Sequence, residues 1–348
     1  MHLGVFIEEM RRGTDARTWF RETLELVDAC EAWGLDGAWL GEIHFNPVRS
    51  VLSSPFALAA FVAARTRRLR VGTAVTVLPL AHPLRIAEDV ASVDQLSEGR
   101  FDFGIGRSGS PRAYDALGVP YAESQARLAE TIEILRRAWT GERLSFRGRF
   151  FRFEGVTVGP RPWQQPHPPM RMAANSPETF AFVGQAGLPL FVGLRDHGLP
   201  ELREHLGTYR RAWREAGHPG DGDVCLRLPV YVGATERAAR EEPRENMVYF
   251  FQRHAELTRS GLGREDTGPA ERRRARLAHL ERMDYDEILR TRVAFGTAGA
   301  VAERLAQLRQ ELGLTGVVAE LNPGGLLPAE PMHRTLRALT HEVMPKLR

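Results

Sequence analysis

Two short runs in this chain combine residue types that together suit a phosphate. One is Ser176-Pro177-Glu178-Thr179, with a hydroxyl at a helix N-cap position, a proline suited to the first helical position and a second hydroxyl one turn on. Capping alone accounts for such a run. A helix start also presents free amides and the positive end of the helix dipole, so an anion is favoured there, with Ser176 and Thr179 to assist and Asn175 immediately before them. The other run is Gly104-Ile105-Gly106-Arg107-Ser108-Gly109, where glycines let the backbone approach a ligand and Arg107 offers a guanidinium that can grip a phosphate through two parallel hydrogen bonds. Each charge-assisted bond contributes about 1.5–3 kcal/mol, so two or three would anchor a phosphorylated ligand. A third run, Glu42-Ile43-His44-Phe45, sets an imidazole two residues from a carboxylate that can orient it. An imidazole suits proton transfer near neutrality, and a stability role is the competing reading for both residues. His82, in Ala81-His82-Pro83, reads as a helix-start residue rather than a catalyst.

For these runs to act together they must share one face, and the alternation of the sequence supplies one. Short apolar runs at 3–7, 36–43, 69–77, 100–106, 171–174, 188–193, 225–232 and 314–320 alternate with helical patterns near 15–33, 54–65, 83–97 and 123–139. This is the α/β signature of parallel strands joined by right-handed crossovers. Eight strands, with no glycine-rich dinucleotide turn after the first, predict closure into a (β/α)8 TIM barrel of one domain over 1–348 rather than an open sheet. Reactive residues of such barrels sit at the C-terminal strand ends, which is where 42–45, 104–109 and 174–179 fall. Two segments interrupt the alternation. Residues 141–169 predict a β-hairpin turning at Arg147-Gly148-Arg149 and a proline-rich connection, an excursion over the barrel. Residues 254–292 carry Gly261, Gly263, Gly268, Pro269 and a dense Arg/Glu run, which reads as a mobile, lid-like insertion.

Composition removes several other chemistries. The 47 basic and 44 acidic residues nearly balance, and the arginines interleave with glutamates, which describes solvated helix faces rather than a nucleic-acid groove. Every basic residue but Lys346 is arginine, so a Schiff-base mechanism, which needs a buried lysine amine, is not expected. Cys30 and Cys225 each lie in an apolar pattern and read as buried thiols, so no disulfide framework and no zinc site follows, and no metal is expected. The opening MHLGVFIEEM has no basic stretch followed by a long apolar run, and no window approaches a membrane span, so a cytoplasmic location is expected.

The stretch LRVGTAVTVLPLAHPLRIAEDVASVDQLSEGRFDFGIGR (69–107), together with the terminal VMPKLR, resembles the luciferase-like flavin-dependent monooxygenases. The resemblance implies a barrel that binds FMN at the strands' C-terminal ends, with Arg107, Ser176 and Thr179 on the phosphate and Thr73, Ala74 and Val75 beneath the isoalloxazine ring. It also implies a cis peptide at Ala74-Val75 and a homodimer. The activity implied is that of a two-component monooxygenase: a separate flavin reductase supplies reduced FMN, O2 forms a C4a-peroxyflavin, and one oxygen enters a small organic substrate. His44 and Glu42 would be the catalytic pair. The chain departs from the family pattern at three places. Ile43 stands where luciferases carry the first histidine of a doublet, Gly106 replaces a reactive cysteine, and Gln125 replaces a second phosphate-binding arginine, for which Arg127 is the candidate substitute. Light emission from an aldehyde is not expected. A deazaflavin-dependent hydride-transfer oxidoreductase and a non-catalytic flavin-binding subunit are the alternatives. Phe6, Phe45, Trp163, Phe191, Tyr249 and Phe250 fit either a substrate pocket or core packing.

Overall fold

The computed structural model describes residues 1–108, 111–260 and 270–348. Eight parallel strands close on themselves: β1 (His2–Ile7), β2 (Gly37–Leu40), β3 (Arg70–Thr73), β4 (Phe101–Gly106), β5 (Met170–Ala173), β6 (Leu190–Gly193), β7 (Val224–Val232) and β8 (Gly316–Glu320). Each pairs with the next, and β8 returns to β1 with His2 opposite Gly316 and Val5 opposite Ala319. Strands covered on both sides need no polar alternation, which is why most of them read as nearly unbroken apolar runs. Phe6, Trp39, Phe191, Cys225 and Val318 fill the barrel interior. Gly72 makes room for the Trp39 indole, since a Cβ there would stand 2.5 Å from the ring.

The helices of the outer ring begin and end on recognisable signals. The helix Ala16–Trp33 is capped by Asp15, which accepts from the Thr18 amide, and stops at Gly34 in the left-handed conformation (φ 85°). Pro55, Pro83 and Pro177 each stand at a first helical turn. The third run, 69–77, forms two strand segments rather than one. Gly72 faces Asp102 of β4, whereas Thr76, in the segment Thr76–Val77, faces Ile105, so the register against β4 steps by one residue across Ala74-Val75. A step of this kind re-aims the side chains around it.

Both interruptions contain regular elements among the described residues. The hairpin Leu144–Arg147 with Arg152–Val156 is present, and its turn is held by the Glu130 carboxylate, which accepts from the amides of Arg149, Phe150 and Phe151 at 2.8, 3.0 and 2.8 Å. Phe151 and Phe153 pack edge-on against His82, and Arg161 donates to the Ala138 carbonyl at the end of the helix Ser124–Thr140. The excursion therefore lies along the outer helical layer. Of 254–292, the described part is helical: Arg244–Ser260, Ala270–Arg282 and Tyr285–Thr291. Met247, Phe250, Phe251, Leu280 and Ile288 form their own apolar cluster there, hidden in the sequence among exposed arginines. Gly109, Gly261, Gly263, Gly268 and Pro269 lie outside the described residues. Both cysteines are buried, and burial pushes the Cys225 thiol up to about 12. Among the described residues no helix is long and apolar enough to cross a membrane.

Candidate active site

The floor of the mouth is set by the close approach of β3 and β4. The Thr73 hydroxyl donates to the Gly104 carbonyl (2.6 Å), and the Ala74-Val75 bond that follows is cis, as the resemblance implies. A Cβ at position 104 would lie 1.8 Å from the Thr73 carbonyl oxygen, so only glycine fits. The Ala74 amide donates to Leu40 at the end of β2 (2.7 Å). Ala74 and Val75, both half-buried, rest on the interior cluster of Phe6, Trp39 and Phe191 and present an apolar surface to the mouth.

Beside this floor lie the polar runs. Ile105 faces Met172, so Arg107 beyond β4 and the 174–176 run beyond β5 leave neighbouring strands at the same mouth. Arg107 is half-buried, donates from Nη1 to Ser124 Oγ (3.1 Å) and lies over the Tyr121 ring at 5.8 Å. Tyr114 donates its hydroxyl to the Arg107 carbonyl and Tyr121 to that of Ser108 (3.3 Å), a residue in the left-handed region (φ 59°). Ser176 is the N-cap of the helix Pro177–Gln185, yet its side chain makes no cap bond; its hydroxyl pairs with that of Thr179 at 2.9 Å. The helix start is left uncapped by its own N-cap residue, which favours an anion there over self-capping. Asn175 donates to Asp196 (3.1 Å). Arg127 sits one turn beyond Ser124, with its guanidinium on Glu123 (2.9 and 2.8 Å) and over Phe150 at 4.4 Å. The apolar floor suits a flavin ring, and the guanidinium and open helix start at the same mouth suit its phosphate.

His44 and Glu42 form a bonded pair, His44 Nε2 to Glu42 Oε1 at 2.6 Å. The other carboxylate oxygen accepts from the Val77 amide (3.2 Å), which ties Glu42 to the segment after the cis bond. The hydrogen bond His44 donates to Glu42 outweighs partial burial and raises the His44 pKa above its ordinary value. Ile43, in the position of the missing histidine, donates its amide to Leu52.

On the opposite side the mouth is lined by charge that no local pattern announces. After β1, the buried Glu8 and Glu9 both bond Arg49, and Glu9 also meets Arg253 (2.9 Å) from the helix Arg244–Ser260. Arg227 of β7 bonds Glu320 of β8 through Nε (2.7 Å) and lies 3.5 Å from the Phe6 ring centroid. Beyond β6, Asp196 bonds His254 (2.8 Å) and meets Arg276 (3.4 Å). Burial alone would raise Asp196; Arg195 and the bond from His254 hold it well below the usual carboxylate range. Burial does raise Glu9, whereas Arg49, Arg227 and Arg195 overcome it at Glu8. Ser124, which bonds Arg107, also escapes the sequence reading, although the helix it begins was legible. Of the candidate pocket aromatics, Phe6 and Phe191 are interior, Phe250 belongs to the inserted helices, and Trp163 is exposed beside Gly99, before β4 at the opposite end of the barrel. Phe45 is exposed beside His44, and Tyr249 lies between Arg12 and Arg253.

Comparison with known proteins agrees with this architecture. The family model described as luciferase-like monooxygenase matches residues 1–316. The oxygenase component of the flavin-dependent trigonelline monooxygenase of Acinetobacter baylyi is 29% identical over 260 residues, 72% of this chain and 70% of that protein. Among solved structures, the monooxygenase RslO1 from Streptomyces bottropensis superposes with a TM-score of 0.84 at 26% identity, covering 100% of both chains. The oxygenating constituent of 3,6-diketocamphane monooxygenase of Pseudomonas putida, solved in complex with FMN, gives 0.83 at 21% identity over 99% of this chain and 98% of that one.

Proposed function

The chain belongs to the luciferase-like monooxygenases, and from that premise we propose that it is the oxygenating half of a two-component system, taking reduced FMN from a separate flavin reductase and using O2 to place one oxygen atom in a small organic substrate. The observation that carries the reading is the convergence at one mouth of the apolar floor at Ala74-Val75, the guanidinium of Arg107 and the uncapped helix start at Ser176 and Thr179. Reduced flavin, when bound, would supply the two electrons needed to activate oxygen. The chain's own residues do the rest. Arg107, Ser176, Thr179 and Asn175 hold the phosphate end, with Arg127, one turn beyond Ser124, as the substitute for a second phosphate arginine, and Thr73, Ala74 and Val75 support the ring. His44, whose pKa the hydrogen bond to Glu42 raises, stands ready to exchange a proton at Nδ1, since Nε2 is committed to the carboxylate. The inserted helices, tied to the rim through Glu9 and Asp196, shield the reaction from water. The same reading makes the working unit a homodimer in the cytoplasm.

The test is to incubate the pure protein with reduced FMN, oxygen and a panel of ketones and aldehydes and to look by mass for a single added oxygen. Product is expected, and Arg107→Ala should weaken FMN binding roughly tenfold to hundredfold, the equivalent of losing one charge-assisted bond. Absence of oxygen consumption would move the reading to deazaflavin hydride transfer. Flavin binding with no product on any substrate would move it to a non-catalytic subunit.

A further inference from the structure

We propose that His197, Glu201 and His205 form a site for a divalent transition-metal ion, lying behind the turn that carries Asn175 and Ser176. The three residues follow β6 at four-residue intervals. His197 ends the loop, while Glu201 and His205 occupy successive turns of the helix Leu199–Glu215, so all three point to one side. One donor atom from each lies within 4.8 Å of the others, and His197 Nδ1 is 3.1 Å from Glu201 Oε1.

Hydrogen bonding fixes which atoms are free to ligate. His197 Nε2 is 3.0 Å from the Asn175 carbonyl, which can only accept, so Nε2 carries the hydrogen and donates. In the neutral ring the lone pair is then on Nδ1, where it faces the Glu201 carboxylate. Two acceptors at that distance repel unless something positive lies between them. A proton would satisfy His197 and Glu201 but would leave His205 Nδ1, on a side chain more than nine-tenths buried, without a partner. A metal ion would take one donor atom from each of the three residues. Two imidazole nitrogens and one carboxylate, with a remaining position for water, suit Zn²⁺ and Fe²⁺ alike.

Ligation at bond lengths of about 2.0–2.1 Å draws tetrahedral donors to about 3.4 Å from one another, so the three side chains close around the ion as it binds. The His197 Nε2–H bond to the Asn175 carbonyl then acts as the outer contact that orients the ligand, as such bonds do in metal centres generally. Arg292 donates to the carbonyls of Leu194 and His197 and fixes the same loop from its other side. Metal at this place would stiffen the backbone at the start of the helix Pro177–Gln185.

The experiment strips the purified full-length protein with chelator, dialyses it against Zn²⁺, Co²⁺ or anaerobic Fe²⁺, and measures metal per chain by elemental analysis, Tm, and the visible spectrum of the Co²⁺ form. Expected are one bound ion per chain, a rise in Tm on reloading and absorption bands of low-symmetry four-coordinate Co²⁺. Glu201→Gln should weaken Zn²⁺ binding at least tenfold and His205→Gln should abolish it, both with unchanged far-ultraviolet circular dichroism. Should His205→Gln fail to fold, the exposed Glu201→Gln variant decides. No stoichiometric uptake of any of the three ions, or uptake equally tight in both variants, overturns the site.

Discussion

The two sides of the barrel mouth are built by different physical means. From β2 to β5 the geometry is a matter of backbone: a one-residue register step at Ala74-Val75, a glycine where two strands touch, an uncapped helix start and a short Glu42–His44 pair. From β6 round to β1 it is a matter of buried charge: Asp196, Glu8, Glu9 and Glu320 are each held by guanidiniums from remote segments. A backbone-built wall has no alternative arrangement, because steric overlap admits no partial relief. A charge-built wall can exchange partners, and it includes the contacts that dock the helices Arg244–Ser260 and Ala270–Arg282. The proposed division of labour follows: a rigid side for the cofactor and an adjustable side for what must enter and leave.

The strongest way to break this contrast is Gly104→Ala. Ordinary overpacking costs about 1–3 kcal/mol because side chains move aside, but here the added methyl would meet backbone at 1.8 Å. We expect a loss upward of about 4 kcal/mol or no folded protein, read by urea and thermal unfolding. A variant that melts close to the parent would show that the β3–β4 contact is not rigid. On the other side, Asp196→Ala removes the acceptor for His254 and Asn175 and the counter-charge of Arg195 and Arg276. Breaking a buried pair costs about 3–5 kcal/mol, and the low end applies because Arg195 and Arg276 each retain about a third of their exposure. The loss should be local. Hydrogen exchange should quicken in the helices Arg244–Ser260 and Ala270–Arg282 while β1 to β5 stay protected, and a uniform change across the barrel would erase the distinction between the two sides.

The same distinction decides what could be read from the sequence. All eight barrel strands were legible, because burial on both faces writes apolar runs directly into the chain, and so was the hairpin at 144–156. The Ser176–Thr179 run and the Glu42–His44 pair are legible because their atoms are close in the chain as well as in space. The cis bond at Ala74-Val75 came from family likeness, since nothing in the residue types Thr-Ala-Val announces it. The charge network was invisible: Glu9 finds Arg253 across 244 positions and Arg227 finds Glu320 across 93. The helices within 254–292 are hard to read as such because AERRRAR-type composition drowns a sparse apolar stripe. The four-residue spacing of His197, Glu201 and His205 is in plain view, whereas the two cysteines, each in an apolar pattern, give no metal signal.

The finest test addresses His44, on the backbone-built side. The His44 pKa is raised above 6.5, first by the hydrogen bond to Glu42 and then by its charge, against the opposing effect of burial. A raised folded-state pKa means the pair stabilises the fold fully at pH below 6.5 and that this contribution fades as pH climbs through the raised value. Glu42→Gln can keep the bond to the Val77 amide through its carbonyl oxygen while removing the negative charge, so burial becomes the dominant influence and His44 should titrate below 6.5. Three readings follow from that sign. The imidazole titration followed by NMR, assigned against His44→Ala, moves to lower pH. The Tm difference between parent and variant is widest in mild acid and narrows as pH rises. If His44 serves as the proton donor, the alkaline fall of kcat/KM moves acidward by the same displacement, with the plateau rate preserved. An NMR shift without movement of the rate profile would leave the pair as a brace for the end of β2 and remove His44 from the chemistry, and a profile that moves with it ties the rigid side of the mouth to proton transfer.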